Sequence, residues 1–295
     1  MSAPVRRYGI VAGVDGSAAS DAAVFWAAQD AVMRNLPLTL VHAFNTFVPT
    51  FPQIPMPTGD ALWPEDDGRM VLEHAVKIAQ DAVPAGQNIA ITSELNYSPP
   101  VPTLIEMSEG AEMVVVGCNG RGALARVLLG SVSSAVIHRA KCPVAVIHEK
   151  ASDLPRSDQA PVLVGIDGSP ASELATSIAF DEASRRGVEL TALQAWSDTE
   201  YFEIPGYEWT AVRAEAERKL AECLAGWQER YPDVVVERLV VRDRPARQLV
   251  EQSESAQLLV LGSRGRGAVS GAMLGSVSNA VVQSVHAPVI VARTS

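Results

Sequence analysis

Two kinds of apolar pattern alternate along the chain. Short runs rich in Val and Ile, bounded by turn-forming residues, fall at 8–14, 37–44, 89–95, 112–117 and 143–147. Between them, at 17–34, 66–83, 100–110 and 130–140, apolar positions return every three or four residues. The first pattern predicts buried strands and the second predicts helices with one buried stripe. In 66–83 that stripe is Val71, Ala75, Ile78 and Ala82. The succession then repeats, with strands near 161–167, 188–195, 234–241, 257–262 and 288–292. A long helix near 208–230 carries Val212, Ala216, Leu220, Cys223 and Trp227 as its expected inward face. Strands apolar on both faces, alternating with helices, predict an α/β fold with parallel sheets covered on both sides.

The repetition extends to the residues themselves. GIVAGVDGS (9–17) returns as VLVGIDGS (162–169), and LTLVHAF (38–44) as LTALQAW (190–196), at an offset of 152. VVVGCNGRGALARVLLGSVSSAV (114–136) returns as LVLGSRGRGAVSGAMLGSVSNAV (259–281) at an offset of 145. The offset shrinks because the first copy carries a longer, proline-rich middle loop at 48–64. Each copy is long enough to fold alone, so the duplication is not a solenoid. The polar stretch EKASDLPRSDQA (149–160) reads as the linker between domains at 1–148 and 161–295.

Composition narrows the class. With 47% hydrophobic and 20% charged residues the chain is built to fold rather than to stay disordered. A net charge of −10 argues against a nucleic-acid binder but leaves room for a basic pocket around one phosphorylated ligand. Cys118, Cys142 and Cys223 have no metal or disulfide spacing. The start of the chain carries no signal-peptide stretch, and no apolar run approaches the ~18 residues of a membrane span. A cytoplasmic protein without membrane insertion is expected.

Two loops per copy carry candidate chemistry, because ligands of open parallel sheets bind beyond the carboxyl ends of the strands. The first is Asp15-Gly16-Ser17, repeated as Asp167-Gly168-Ser169. The second is Gly-x2-Gly-x9-Gly-Ser: Gly117, Gly120, Gly130-Ser131, and Gly262, Gly265, Gly275-Ser276. Glycines let the main chain approach phosphate oxygens, and consecutive amides form an anion-binding concavity. The closing Gly-Ser stands where a helix starts, offering free N–H groups and a positive dipole end. No Gly-Lys pair exists for a Walker A loop, and strict GxGxxG fails in both copies. Asp15 and Asp167 read either as turn formers or as ligands; their equivalent placement in two copies favours the ligand role. Ser17 and Ser169 read as N-caps.

With these motifs on the page, the chain resembles the ATP-binding class of universal stress proteins, in the tandem-domain form of actinobacteria. Trp196-Ser-Asp198 and the PARQLV segment (245–250) add to the likeness. The resemblance implies Rossmann-like domains of the adenine nucleotide alpha hydrolase type. Each would be a five-stranded parallel sheet of order 3-2-1-4-5, with domains pairing through their last strands, PVAVI and PVIVA. It implies one ATP per domain. Mg²⁺, which prefers phosphate and water oxygens to a protein cage, is expected on the phosphates. The closing strands PVAVI and PVIVA read as exposed edges, which predicts pairing between copies or chains and a homodimer, with an unidentified regulatory protein as partner.

By the same resemblance Gly13, Asp15, Val41 and Ala43 surround adenine and ribose in copy one, matched by Gly165, Asp167, Ala195 and Asp198 in copy two. Gly117, Cys118, Asn119, Gly120, Arg121, Gly122, Ala123, Gly130, Ser131 and Val132 hold ribose and phosphates. Their counterparts are Leu261, Gly262, Ser263, Arg264, Gly265, Arg266, Gly267, Gly275, Ser276, Val277 and Ser278. Copy one has Asn45 nearby but no counterpart of Asp198, which implies weaker nucleotide binding there.

The functional expectation is a stress-response regulator rather than an enzyme. No positioned base, nucleophile triad or cradle lysine is evident. The rival is a slow ATPase or adenylating enzyme of the adenine nucleotide hydrolase group. Its usual Ser-Gly-Gly-x-Asp-Ser loop is replaced here by Asp-Gly-Ser. A pure interaction scaffold is the third reading, disfavoured by intact cradles in both copies. The five histidines, lacking metal spacing, read as ordinary structural or surface residues.

Overall fold

A computed structural model describes residues 8–44, 64–120, 129–149, 157, 159–196, 209–265 and 274–293. In the first half, strands β1 (Gly9–Gly13), β2 (Leu38–Ala43), β3 (Ile91–Asn96), β4 (Ala111–Gly117) and β5 (Val144–Ile147) alternate with helices α1 (Ala18–Arg34), α2 (Pro64–Ala82), α3 (Pro100–Met107) and α4 (Ser131–Arg139). The second half repeats this with β6 (Val162–Gly165), α5 (Pro170–Arg186), β7 (Leu190–Trp196), α6 (Trp209–Arg230), β8 (Val236–Arg242), α7 (Pro245–Ser253), β9 (Leu258–Gly262), α8 (Ser276–Ser284) and β10 (Val289–Ala292).

Each half has the expected 3-2-1-4-5 strand order, all parallel. The halves do not form separate sheets. β5 and β10 pair antiparallel, Val144 with Val291 and Val146 with Val289, giving one ten-stranded sheet. The two closing strands thus satisfy each other's edge within the chain, which explains why both read as exposed edges on their own.

Strand alternation sends side chains into two layers. Met113 and Val115 enter the layer under α1, α2, α5 and α6; Val114 and Val116 enter the layer under α3, α4, α7 and α8. In α2 the buried stripe is Val71, Leu72, Ala75, Ala79 and Ala82, with Ile78 at its margin. One expectation fails in α6. Cys223 is exposed, and Leu224 completes the inward stripe after Ala216 and Leu220. The spacing of 216, 220 and 224 holds one face, and position 223 falls off it. Val212 belongs to residues whose side chains lie outside the description.

Charged residues also cross the join. At the α1–α5 contact Arg34 Nε donates to Asp30 (2.8 Å), Nη1 donates to Asp181 (3.0 Å), and Nη2 bonds Glu182. Arg186 Nε donates to Glu182 at 2.9 Å. Asp30 and Glu182 are fully buried. Burial, then the neighbouring Glu182 carboxylate, pushes Asp30 up to about 7. On the other layer Arg293 donates to the carbonyls of Ile137 (2.6 Å) and Ala140 (3.0 Å) at the end of α4. His138 Nδ1 accepts from the Leu274 amide at 3.2 Å.

Candidate functional site

The chain leaves β1 through a tight turn that Asp15 holds. Its Oδ1 accepts from the Ser17 amide (3.0 Å) and hydroxyl (2.6 Å), while Gly16 takes a φ of 75°. Ser17 Oγ in turn accepts from the Ser20 amide at 3.2 Å and caps α1. Copy two repeats the device: Asp167 accepts from the Ser169 amide at 2.9 Å, and Ser169 caps α5. Both serines are N-caps, as the sequence predicts, and both aspartates are turn formers.

The aspartates do more than turn the chain. A Cβ on Gly120 would collide with Asp15 Oδ2, and one on Gly265 would lie 2.6 Å from Asp167 Oδ2. The two loops of each copy therefore meet over one crevice. Ser169 Oγ reinforces this by donating to the Arg264 carbonyl at 3.2 Å.

The glycines of the second loop divide their roles. Gly117 and Gly262 carry the start of α1 and α5 directly on their Cα atoms. An added Cβ would lie 2.7 Å from the Ala19 carbonyl carbon, or 2.8 Å from that of Ala171. Helix packing, more than ligand approach, demands glycine at these two places. Gly130 and Gly275 close the loop by donating to the carbonyls of Cys118 (2.6 Å) and Ser263 (2.8 Å). They are also the N-caps of α4 and α8, so neither helix start has a side-chain cap. Ser133 and Ser278 pin these helices by donating to the carbonyls of Gly117 (2.6 Å) and Gly262 (2.7 Å).

In copy one these elements enclose a cleft of about 590 Å³. It gathers the predicted Gly13, Asp15, Val41, Ala43, Gly117, Asn119, Gly120, Gly130, Ser131 and Val132. It also uses Val14, Ser20, Pro100, Leu104, Val116 and Ser133, which were not singled out in the sequence. Pro100 and Leu104 belong to α3, whose approach to the crevice depends on how the helix docks rather than on any local motif. In copy two Gly165, Asp167, Ala195, Leu261, Gly262, Ser263, Arg264, Gly265, Gly275, Ser276 and Val277 occupy the equivalent places by the repeat.

Two named residues are placed otherwise. The side chain of Cys118 is packed in the core, where burial pushes its thiol above the ordinary range. The Ser278 hydroxyl is committed to Gly262. Arg121, Gly122, Ala123, Asp198, Arg266 and Gly267 lie outside the described residues, as does Asn45. Among the described residues no three His, Cys, Asp or Glu side chains gather to hold a metal ion. None of their helices is long and apolar enough to cross a membrane.

The family model for universal stress proteins matches residues 9–148 and again 160–293. The chain belongs to the universal stress protein family. Two universal stress proteins of Mycobacterium tuberculosis are 60% and 52% identical over 295 residues, each match covering this whole chain and 100% and 99% of the relative. Among solved structures, a universal stress protein from Archaeoglobus fulgidus superposes with a TM-score of 0.67 at 19% identity, covering 98% of this chain and 100% of that one. A putative universal stress protein from Pseudomonas aeruginosa gives 0.63 at 14%, covering 97% and 93%. These two likenesses concern the fold alone.

Proposed function

We propose that this tandem universal stress protein is an ATP-binding regulator of the stress response, with one nucleotide cradled in each half. The observation that carries the reading is a contrast between helix starts. α1 and α5 are capped by serine side chains, whereas α4 and α8 begin on glycine with no side-chain cap. Their first-turn amides are left for an anion, and Ser131 and Val132 line the cleft. Beside them Val41, Leu104 and Val116 offer an apolar wall for a base, with Asp15 at the ribose position between wall and glycine loop.

The domains are 1–148 and 161–295, with 149–160 as linker. Mg²⁺ rides on the phosphates, since it keeps water and phosphate oxygens as ligands. The protein is cytoplasmic and acts through nucleotide-dependent conformation and a regulatory protein partner, not through catalysis. It forms a homodimer by a surface other than the closing strands, which β5 and β10 use on each other.

A thermal-shift titration tests the site. Saturating ATP at ~100 times Kd should add ~2.7 kcal/mol of stability, raising the melting temperature by several degrees. Gly120→Glu with Gly265→Glu should abolish that shift by filling both cradles. A shift unchanged in a folded double variant contradicts the assigned site. Rapid pyrophosphate release from ATP and Mg²⁺ would instead favour the adenylating enzyme.

A further inference from the structure

One hydrogen bond between the halves bears on a cradle. His138 stands in the last turn of α4, in the first half, and its Nδ1 accepts from the Leu274 amide of the second half at 3.2 Å. Leu274 is buried and directly precedes Gly275, the N-cap of α8. Gly275 in turn closes the second glycine loop by donating to the Ser263 carbonyl at 2.8 Å. The bond therefore reaches from one half to the segment that aims the first amides of α8.

His138 is held in this place from the second half as well. Arg293, which follows β10, donates to the carbonyls of Ile137 (2.6 Å) and Ala140 (3.0 Å), on either side of it. β10 is itself paired with β5. At the matching place in the second half the sequence differs. The offset of 145 puts Gln283 where His138 stands, and its Nε2 donates to Asn279 Oδ1 of its own helix at 3.1 Å.

The chemistry of the bond makes it sensitive to acid. A main-chain amide has only a proton to give, so Nδ1 is bare and the ring is neutral. A proton on Nδ1 would set one donor against another. Burial, then Arg293 and Arg139, oppose that proton and hold His138 below its ordinary range. The neighbouring β5 and α8 carry no ionisable residue, and Glu106 of α3 and Lys141 beyond the end of α4 are exposed. The bond is thus whole at neutral pH and is lost as pH falls below about 6.5. In the first half, His42 Nδ1 donates to the carbonyl of Val14, a cleft residue, at 2.7 Å. Protonation leaves that bond in place, because the nitrogen already carries its proton.

We propose that His138 is a positioning residue for the second phosphate cradle, supplied by the first half, and that acid weakens ATP binding in the second half alone. With the bond made, Leu274 and Gly275 are fixed before the ligand arrives. With it broken, binding must itself order them, which lowers affinity. This rests on the nucleotide reading above and deepens it.

The test is calorimetric titration of the full-length, nucleotide-free protein with ATP at about pH 7.5 and about pH 5.5. Gly120→Glu leaves the second cradle to be read alone, and Gly265→Glu leaves the first. On acidification Kd should rise ~5-fold more in the Gly120→Glu chain than in the Gly265→Glu chain, whose response carries the protonation of ATP itself. At neutral pH, adding His138→Ala to Gly120→Glu should weaken binding ~5-fold and remove the excess response to acid. His138→Asn, whose Oδ1 accepts as Nδ1 does, should restore the neutral affinity and stay indifferent to acid. Beside Gly265→Glu both changes should leave Kd unmoved. Should a glycine variant fail to melt cooperatively, the natural chain and His138→Asn alone give the reading: acid should separate two ATP sites in the first and not in the second. An equal acid response of both sites, or a second cradle unmoved by His138→Ala, would overturn the proposal while leaving the nucleotide reading intact. No binding of ATP to the natural chain at neutral pH would overturn that reading and this inference with it.

Discussion

A Cβ on Gly265 would lie 2.6 Å from Oδ2 of Asp167, and the pair Gly120 and Asp15 is set closer still. The turn after the first strand and the glycine loop after the fourth are therefore one packed unit. Gly265→Ala forces the carboxylate aside and disturbs the cap of α5, at a cost of ~1–3 kcal/mol. In an Asp167→Gly background the same change should cost much less. A double-mutant cycle by chemical denaturation measures the coupling; additive costs would contradict the packing.

The serines that pin α4 and α8 are expected to be structural. Ser278→Ala leaves the buried Gly262 carbonyl without its 2.7 Å donor and should cost ~1–3 kcal/mol. Ser133→Ala should behave alike at Gly117. Exposed Ser276→Ala, measured beside them, should leave stability nearly unchanged.

Asp30 gives a pH signature. Its folded value of about 7 lies above the 3.8 it starts from, so between these values the folded chain holds a proton that the unfolded chain has released. Its contribution to stability is complete below about pH 4 and is lost as pH rises toward 7, by on the order of a few kcal/mol. Asp30→Asn should flatten that part of the stability profile. A profile of unchanged slope would remove Asp30 as its source.

Thiol chemistry separates the three cysteines. Cys118 and Cys142 are buried, and burial raises both thiols, Cys142 to about 12. Cys223 is exposed on α6. A thiol reagent should label one equivalent quickly in the native protein and three after denaturation. Fast labelling of Cys118 would contradict its place in the core.

Much of this was legible because the chain states its pattern twice. The strand runs, the serine caps and the spacing of Gly117, Gly120 and Gly130 recur at fixed offsets, and the structure places each where that pattern implies. What sequence missed depends on docking. Leu104 reaches the cleft only because α3 lies across the end of β1. Cys223 and Leu224 are neighbours, and one step of helical phase decides which is buried. The buried charges of the α1–α5 contact look like solvated helix residues when read singly. A signal was present nonetheless: Asp30 with Arg34 and Glu182 with Arg186 stand at the same repeat offset.

The most direct test of nucleotide binding is to denature the protein as purified and separate what it releases by chromatography, with stoichiometry per chain. Adenine nucleotide should appear, approaching two per chain when both halves are filled. Release of none, together with no binding of added ATP to the emptied protein, would contradict the account.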